Sequence, residues 1–132
     1  MLLILSLSAT ALLAVPSAVA HTPAWEVPTY AFMSLTPNPV GVNQRIDIVM
    51  WLNFFPPTAN GAYGDRWESY KITITKPDGT SQVLGPFTSD PVGSAYTGYT
   101  PDQTGTYKLV FSFDGQTITG LPIPPGQTIN NI

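Results

Sequence analysis

Apolar and polar residues alternate along several short stretches of the chain, and this period of two predicts β-strands. The clearest stretch is residues 44–53, where Ile46, Ile48 and Met50 occupy one face of the predicted strand. They alternate with Asp47, Val49 and Trp51 on the other face. A strand with one face in a core requires this alternation, because successive side chains point to opposite faces. The pattern predicts further strands at 30–35, 67–75, 81–84, 94–99 and 106–113, and a weaker one at 117–121.

Turn-forming residues separate these stretches and fix how the strands connect. Residues 76–79 combine Pro77 with Asp78 and Gly79, a sequence typical of a tight turn between antiparallel strands. Beyond the first twenty residues, no window has sustained apolar spacing at the helical period of 3.6. The sequence therefore predicts an all-β protein, an antiparallel β-sandwich of about seven strands.

One local motif favours the immunoglobulin-like form of the sandwich over a small barrel. Asp102, Gly105 and Tyr107 have the D-x-x-G-x-Y spacing that introduces strand F of immunoglobulin-like domains. Tyr107 is then expected to pack its ring inside and to bond its hydroxyl group to upstream backbone. Leu109 takes the position of the second cysteine of antibody domains, where it faces an apolar residue of the 44–53 strand.

The first twenty residues have the character of an export signal. They are almost wholly apolar and end in Ala18-Val19-Ala20, which predicts cleavage before His21 and a secreted or cell-surface protein. No basic residue precedes the apolar run, which leaves two alternatives: the true start lies upstream, or the segment stays uncleaved as a membrane anchor. The predicted organisation is a signal peptide (1–20), an N-terminal arm (21–29), the sandwich (30–121) and a Pro-rich tail or truncated last strand (122–132).

Composition narrows the functional classes further. The 132 residues suffice for one domain, and the absence of cysteine excludes disulfides, so the core alone must stabilise the fold. The net charge is −3 with only 5 basic residues, which argues against nucleic-acid binding because a phosphate backbone requires a basic stripe.

Segments 34–42, 76–80 and 99–107 resemble extracellular immunoglobulin-like modules of bacteria and archaea. With segments 56–59 and 64–67 included, residues 21–120 as a whole are similar to the N-terminal immunoglobulin-like domain of archaeal secreted proteins. In those proteins a β-propeller of the pyrroloquinoline-quinone-like type follows. The resemblance implies a non-catalytic accessory module whose partners are neighbouring domains or other surface proteins, and it implies no catalytic residue. It also suggests a fragment whose last strand is either residues 117–121 or lies beyond Ile132.

Five aromatic residues are not explained by core packing alone, and these are the candidate binding residues. Aromatic side chains are enriched at protein interfaces and stack on sugar rings. The alternative is a structural cluster in which prolines pack on tryptophans and hold the long 54–65 loop in place. Docking to a neighbouring domain is expected ahead of glycan binding, because the loop has few polar groups. The candidate residues are Trp51, Phe54, Phe55, Tyr63 and Trp67.

Residues capable of catalysis or metal binding are sparse. His21, the only histidine, would become the mature N-terminus and offer nitrogen ligands to copper, but a copper site of that kind needs a second histidine. Asp65, Glu68, Asp90 and Asp102 lie in or beside loops, yet no calcium-loop motif joins them. The sequence therefore predicts no enzyme, no cofactor and no metal site.

Overall fold

The computed structural model describes residues 27–118, which form six antiparallel β-strands in two three-stranded sheets. The signal peptide, His21 and the tail from residue 119 lie outside the described residues. One sheet has the order β1-β2-β5 and the other has the order β4-β3-β6. The strands are β1 (Ala31–Thr36), β2 (Ile46–Leu52), β3 (Tyr70–Thr75), β4 (Ser81–Phe87), β5 (Ser94–Tyr99) and β6 (Lys108–Ser112).

The core lies between the two sheets and is built from their central strands. Ile48 and Met50 of β2 and Tyr70, Ile72 and Ile74 of β3 have no exposed surface. Each strand alternates buried and more exposed positions along its length, as the period of two predicts. The all-β, sandwich-like prediction is thus confirmed for the described residues.

Strand β3 begins three residues later than predicted. The alternation suggested a strand from residue 67, but Ser69 adopts a positive φ of 62° and interrupts the extended chain. Positive φ is uncommon for a residue other than glycine. At Ser69 it breaks the regular alternation of side chains. Trp67, which strand geometry would direct away from the core, is consequently buried, with 6% of its surface exposed.

Strand β4 extends to Phe87, beyond its predicted end at residue 84. The pairing register with β3 shifts between Tyr70 and Ile72, and Gly85 has a φ of 116° at this irregularity. Pro86 cannot donate a backbone hydrogen bond, but β4 is the edge strand of its sheet, where proline is tolerated.

Six strands are observed where about seven were predicted. Thr117 and Ile118 belong to no strand, and the rest of the predicted 117–121 strand lies outside the described residues. Ile118 nevertheless packs against the core cluster. Within residues 27–118, no helix is long and apolar enough to cross a membrane.

Candidate functional site

The outward-facing side of the β1-β2-β5 sheet carries an unusual number of aromatic residues. Strand alternation and register place Phe32, Val49, Trp51 and Tyr96 on this side, because Phe32 pairs with Trp51 and Val49 pairs with Tyr96. Tyr30 precedes β1 and is held beside β2: its carbonyl oxygen accepts from the Asn53 N–H at 3.1 Å, and its own N–H donates to the side-chain oxygen Asn53 Oδ1 at 2.6 Å. We call these five residues, Tyr30, Phe32, Val49, Trp51 and Tyr96, the outer aromatic face.

Two rings of the outer aromatic face stack on each other across neighbouring strands. The centroids of Phe32 and Trp51 lie 5.8 Å apart and their planes differ by only 14°. Phe32 is 45% exposed and Trp51 is half-buried, so the pair keeps solvent contact. Cross-strand aromatic pairs stabilise a sheet by up to about 1 kcal/mol. This stacked pair, which we call the platform, is apolar and partly exposed.

A charged cluster lies beside Tyr96 on the same side of the sheet. Asp47 accepts hydrogen bonds from the Tyr96 hydroxyl group at 2.7 Å and from Arg45 Nε at 3.0 Å. The Arg45 guanidinium group also lies 5.9 Å from the Tyr96 ring centroid and occupies the space above Gly98, where any side chain would collide with it. The Tyr96 and Arg45 hydrogen bonds lower the pKa of Asp47 below its usual range. Tyr96 therefore presents an exposed ring whose position is fixed by hydrogen bonds.

The outward side of the second sheet is chemically different. Its central strand directs Lys71, Thr73 and Thr75 outward, and Thr73 lies between Val83 of β4 and Val110 of β6. Lys71 forms a surface ion pair with Asp114 at 2.7 Å. A surface of threonine, valine and lysine is ordinary for an exposed sheet, whereas a cluster of aromatic rings is not. The two faces of the sandwich are therefore not equivalent.

Of the five predicted binding residues, the structure places only Trp51 on the outer aromatic face. Trp67 belongs to the core: its indole Nε1 donates to the carbonyl oxygen of Phe54 at 2.8 Å, and its ring meets Phe113 edge-to-face at 5.7 Å. Phe55 is 70% exposed on the loop, and Phe54 and Tyr63 are also exposed. The five side chains thus divide between the core, the loop surface and the sheet face.

The long loop between β2 and β3 is held by its polar residues. Buried Asp65 bonds the Thr58 hydroxyl group, and the backbone N–H of Asp65 donates back to Thr58 Oγ1 at 2.9 Å. Arg66 donates to the carbonyl oxygens of Tyr63 and Asp65 at 3.0 and 2.8 Å, as well as to that of Gly61. These bonds satisfy loop backbone groups, so Asp65 and Arg66 act as structural residues.

The D-x-x-G-x-Y segment forms a compact hydrogen-bonded corner. The Tyr107 hydroxyl group accepts from the Gln103 N–H at 2.9 Å and lies 3.1 Å from Asp102 Oδ1 as a donor. Gly105 has a φ of 138°, and a Cβ there would approach Pro77 to 2.8 Å. Lys76 pairs with Asp102 and lowers the pKa of that carboxyl group. The corner thereby connects the 76–80 turn to the start of β6.

Asp78 is expected to make the stability of the fold depend on pH. Its carboxylate accepts bonds from the Thr80 N–H and hydroxyl group and from Gln103 Nε2, and these lower its pKa from 3.8 to about 2. A carboxyl group whose pKa is lower in the folded state stabilises the fold above its unfolded pKa, and this contribution is lost as the pH falls through the folded value. We expect the urea midpoint of unfolding to fall between about pH 4 and about pH 2, with Asp47 and Asp102 contributing in the same direction.

The matched variant for that experiment is Asp78→Asn, which keeps an acceptor oxygen and removes the ionisable group. We expect its urea midpoint to change less with pH across the acid range than that of the wild-type chain. An unchanged pH slope in Asp78→Asn would show that Asp78 does not contribute to the acid sensitivity.

The acidic residues considered for calcium lie apart and perform local structural roles. Asp90 accepts hydrogen bonds from the N–H groups of Val92 and Ser94 at 3.0 and 2.8 Å, while Asp65 and Asp102 are bonded as described above. Glu68 is exposed. Among residues 27–118, no group of three or more histidine, cysteine or acidic side chains is close enough to hold a metal ion. The copper hypothesis rests on His21, which lies outside the described residues.

Sequence reasoning missed Tyr30, Phe32 and Tyr96 as members of one surface. The alternation within the predicted 30–35 strand already placed Tyr30 and Phe32 on one side. Their proximity to Trp51 and Tyr96 depends on β2 lying between β1 and β5, which is a property of the sheet order.

Comparison with known proteins gives no further assignment: the chain matches no family model, no curated protein and no solved structure.

Proposed function

We propose that this chain is a non-catalytic, immunoglobulin-like module of an exported protein, with a structural or interaction role. It binds a neighbouring domain or another surface protein through the outer aromatic face. The export signal predicted in residues 1–20 supports a secreted or cell-surface location.

Two features support the immunoglobulin-like form. The orders β1-β2-β5 and β4-β3-β6 are those that strands A-B-E and C′-C-F take in such sandwiches. The Tyr107 hydroxyl group bonds upstream backbone at Gln103, as the tyrosine corner of these domains requires.

The contrast between the two sheet faces is the observation that carries the interaction role. Tyr30 and Tyr96 are more than half exposed, and Phe32 is nearly so, although all three lie on or beside regular strands. Exposed rings anchored on a sheet lose little conformational freedom on binding, so they are suited to an interface. The platform is mainly apolar, and the neighbouring Asp47 and Arg45 already bond each other, which favours a protein partner over a sugar.

The resemblance to N-terminal immunoglobulin-like domains of archaeal secreted proteins suggests the kind of partner. In that arrangement the module precedes a β-propeller within one longer chain, and an apolar sheet face would cover part of the adjoining domain. Contacts between domains resemble transient protein interfaces in size and polarity. The Arg45–Asp47 ion pair beside the exposed Tyr96 ring fits that description.

Site-specific photo-cross-linking tests this proposal. We would place benzoylphenylalanine at Phe32 or Tyr96 in cells that export the protein, with Val83 and Val110 as exposed control positions on the other sheet. We expect a discrete cross-linked product from the first two positions only, and a loss of that product when Trp51→Ala is added. Equal products from both sheets, or products from the control positions alone, would contradict the proposal.

Glycan binding is the second candidate, favoured by the near-parallel, partly exposed Phe32–Trp51 rings. Aromatic rings can pack against the C–H face of a sugar. Glycan-array binding that disappears in Trp51→Ala and persists in Phe55→Ala would support this function. Loss in Phe55→Ala alone would instead assign binding to the loop aromatics Phe54, Phe55 and Tyr63, and a blank array would remove the glycan candidate.

A further inference from the structure

One asparagine of the long loop between β2 and β3 is followed by glycine in an open turn. The Asn60 N–H donates to the Tyr63 carbonyl oxygen at 2.9 Å, and the Tyr63 N–H donates to the Asn60 carbonyl oxygen at 2.7 Å, so the two residues close a turn around Gly61 and Ala62. Gly61 adopts a φ of 46°, and a Cβ there would meet no atom within 4 Å. Asn60 and Gly61 are both exposed, so the peptide bond between them is accessible to water.

The turn leaves two chemically reactive groups without hydrogen bonds. Tyr63 holds the Asn60 backbone, but within residues 27–118 neither the Asn60 side-chain amide nor the Gly61 N–H takes part in a hydrogen bond. Glycine has no side chain to obstruct an approach to its nitrogen. The Gly61 nitrogen and the Asn60 side-chain carbon Cγ can therefore meet through bond rotations within Asn60 alone.

Each of the other three asparagines among the described residues lacks one of these conditions. Asn38 precedes a proline, whose nitrogen carries no hydrogen to lose. The residue after Asn43 already uses its N–H in a backbone hydrogen bond of 3.1 Å. Asn53 Oδ1 accepts from the Tyr30 N–H at 2.6 Å, and a phenylalanine follows Asn53. Asn60 thus differs from all three in both its sequence neighbour and its surroundings.

We propose that Asn60 is a site of spontaneous deamidation, for which the loop itself supplies the nucleophile. The Gly61 nitrogen attacks Asn60 Cγ and forms a new N–C bond. The bond between Cγ and Nδ2 breaks, and Nδ2 leaves as ammonia with the proton of the Gly61 amide. Water then hydrolyses the cyclic imide at either of its two carbonyl groups, which gives aspartate or isoaspartate at position 60. Water is the only co-reactant.

Either product places a negative charge at the turn that Arg66 contacts. Arg66 donates to the carbonyl oxygens of Gly61 and Tyr63, and it takes part in no ion pair among the described residues. The new carboxylate makes the net charge of the chain, which is −3, more negative by one unit. Isoaspartate also adds a methylene group to the backbone, which disturbs the alignment of the two hydrogen bonds between position 60 and Tyr63. The reaction therefore alters the part of the loop that carries the exposed Tyr63 ring.

Ageing of the folded full chain at mildly alkaline pH, followed by peptide mass spectrometry, tests this inference independently of the interaction role. We expect deamidation at Asn60 to be at least about tenfold faster than at Asn43 or Asn53, because only Asn60 precedes a residue without a side chain. Electron-transfer fragmentation is expected to show both isoaspartate and aspartate at position 60. Equal rates at the three asparagines would overturn the proposal, and so would a product that is aspartate alone, since direct hydrolysis of the side chain gives no isoaspartate.

Unfolding and one pair of variants complete the test. The rate at Asn60 in the folded chain is expected to stay within about tenfold of the rate in the urea-unfolded chain, because the turn leaves both reacting groups accessible. A greater slowing in the folded chain would show that the turn protects Asn60 and would overturn the proposal. Asn60→Gln is expected to abolish the acidic form that accumulates in ion-exchange chromatography, because the longer side chain closes the ring poorly, while Asn38→Gln leaves that form unchanged. Accumulation at the wild-type rate in Asn60→Gln would also overturn the proposal.

Discussion

Replacing Tyr70 with alanine is expected to lower the free energy of unfolding by about 3–5 kcal/mol. The Tyr70 side chain is fully buried, and its ring meets Phe111 and Phe113 edge-to-face at centroid distances of 4.9 and 5.6 Å. Its hydroxyl group donates to the Gly93 carbonyl oxygen at 2.9 Å, which connects the second sheet to the turn before β5. Alanine removes both the packing and this bond, and it leaves a cavity in the centre of the core.

Tyr70→Phe separates the two contributions. Phenylalanine keeps the ring and removes only the hydroxyl group, leaving the Gly93 carbonyl group without its partner at a cost of about 1–2 kcal/mol. Urea unfolding followed by circular dichroism measures both variants. If Tyr70→Ala stayed within about 1 kcal/mol of the wild-type value, the assignment of Tyr70 to a close-packed core would be wrong.

Replacing Trp67 with alanine is expected to have a comparable effect on stability, about 3–5 kcal/mol. The indole ring is almost completely buried, packs on Phe113 and donates to the Phe54 carbonyl group, so it ties the long loop to the core. The backbone N–H of Trp67 also donates to the Ser89 hydroxyl oxygen at 2.9 Å. This bond does not involve the indole ring, so the alanine variant can still form it. Loss of the indole ring therefore releases the loop as well as opening a cavity.

The matched control is Phe55→Ala, an aromatic deletion on the same loop. Because most of the Phe55 side chain is exposed, its removal is expected to change stability by less than about 0.5 kcal/mol. Chemical denaturation of the two variants gives the comparison. Similar stability losses in both would contradict the different placement of these two aromatic residues.

The strands were predictable because their signals are local. Strand β5 begins and ends at the predicted residues 94 and 99, and the alternation of β2 matches its buried positions. The D-x-x-G-x-Y spacing likewise predicted the Tyr107 hydrogen bond to upstream backbone. In each case a few neighbouring residues determine the geometry.

The candidate site was only partly predictable because it depends on contacts between distant segments. Phe32, Trp51 and Tyr96 come from three strands, and no local pattern shows that those strands are neighbours. The placement of Trp67 depends on Ser69, whose positive φ interrupts the extended chain before β3. Sequence alternation alone cannot anticipate such a break when the residue is not glycine.

The strand order is the observation from which the outer aromatic face follows, and solution nuclear magnetic resonance measures it directly. We predict cross-strand Overhauser contacts between Val49 of β2 and Tyr96 of β5, and between Thr73 of β3 and Val110 of β6. Backbone ladder contacts joining β2 to β3, or β5 to β6, would show a sequential meander instead. That result would separate Tyr96 of β5 from Phe32 and Trp51 and contradict the proposed interaction surface.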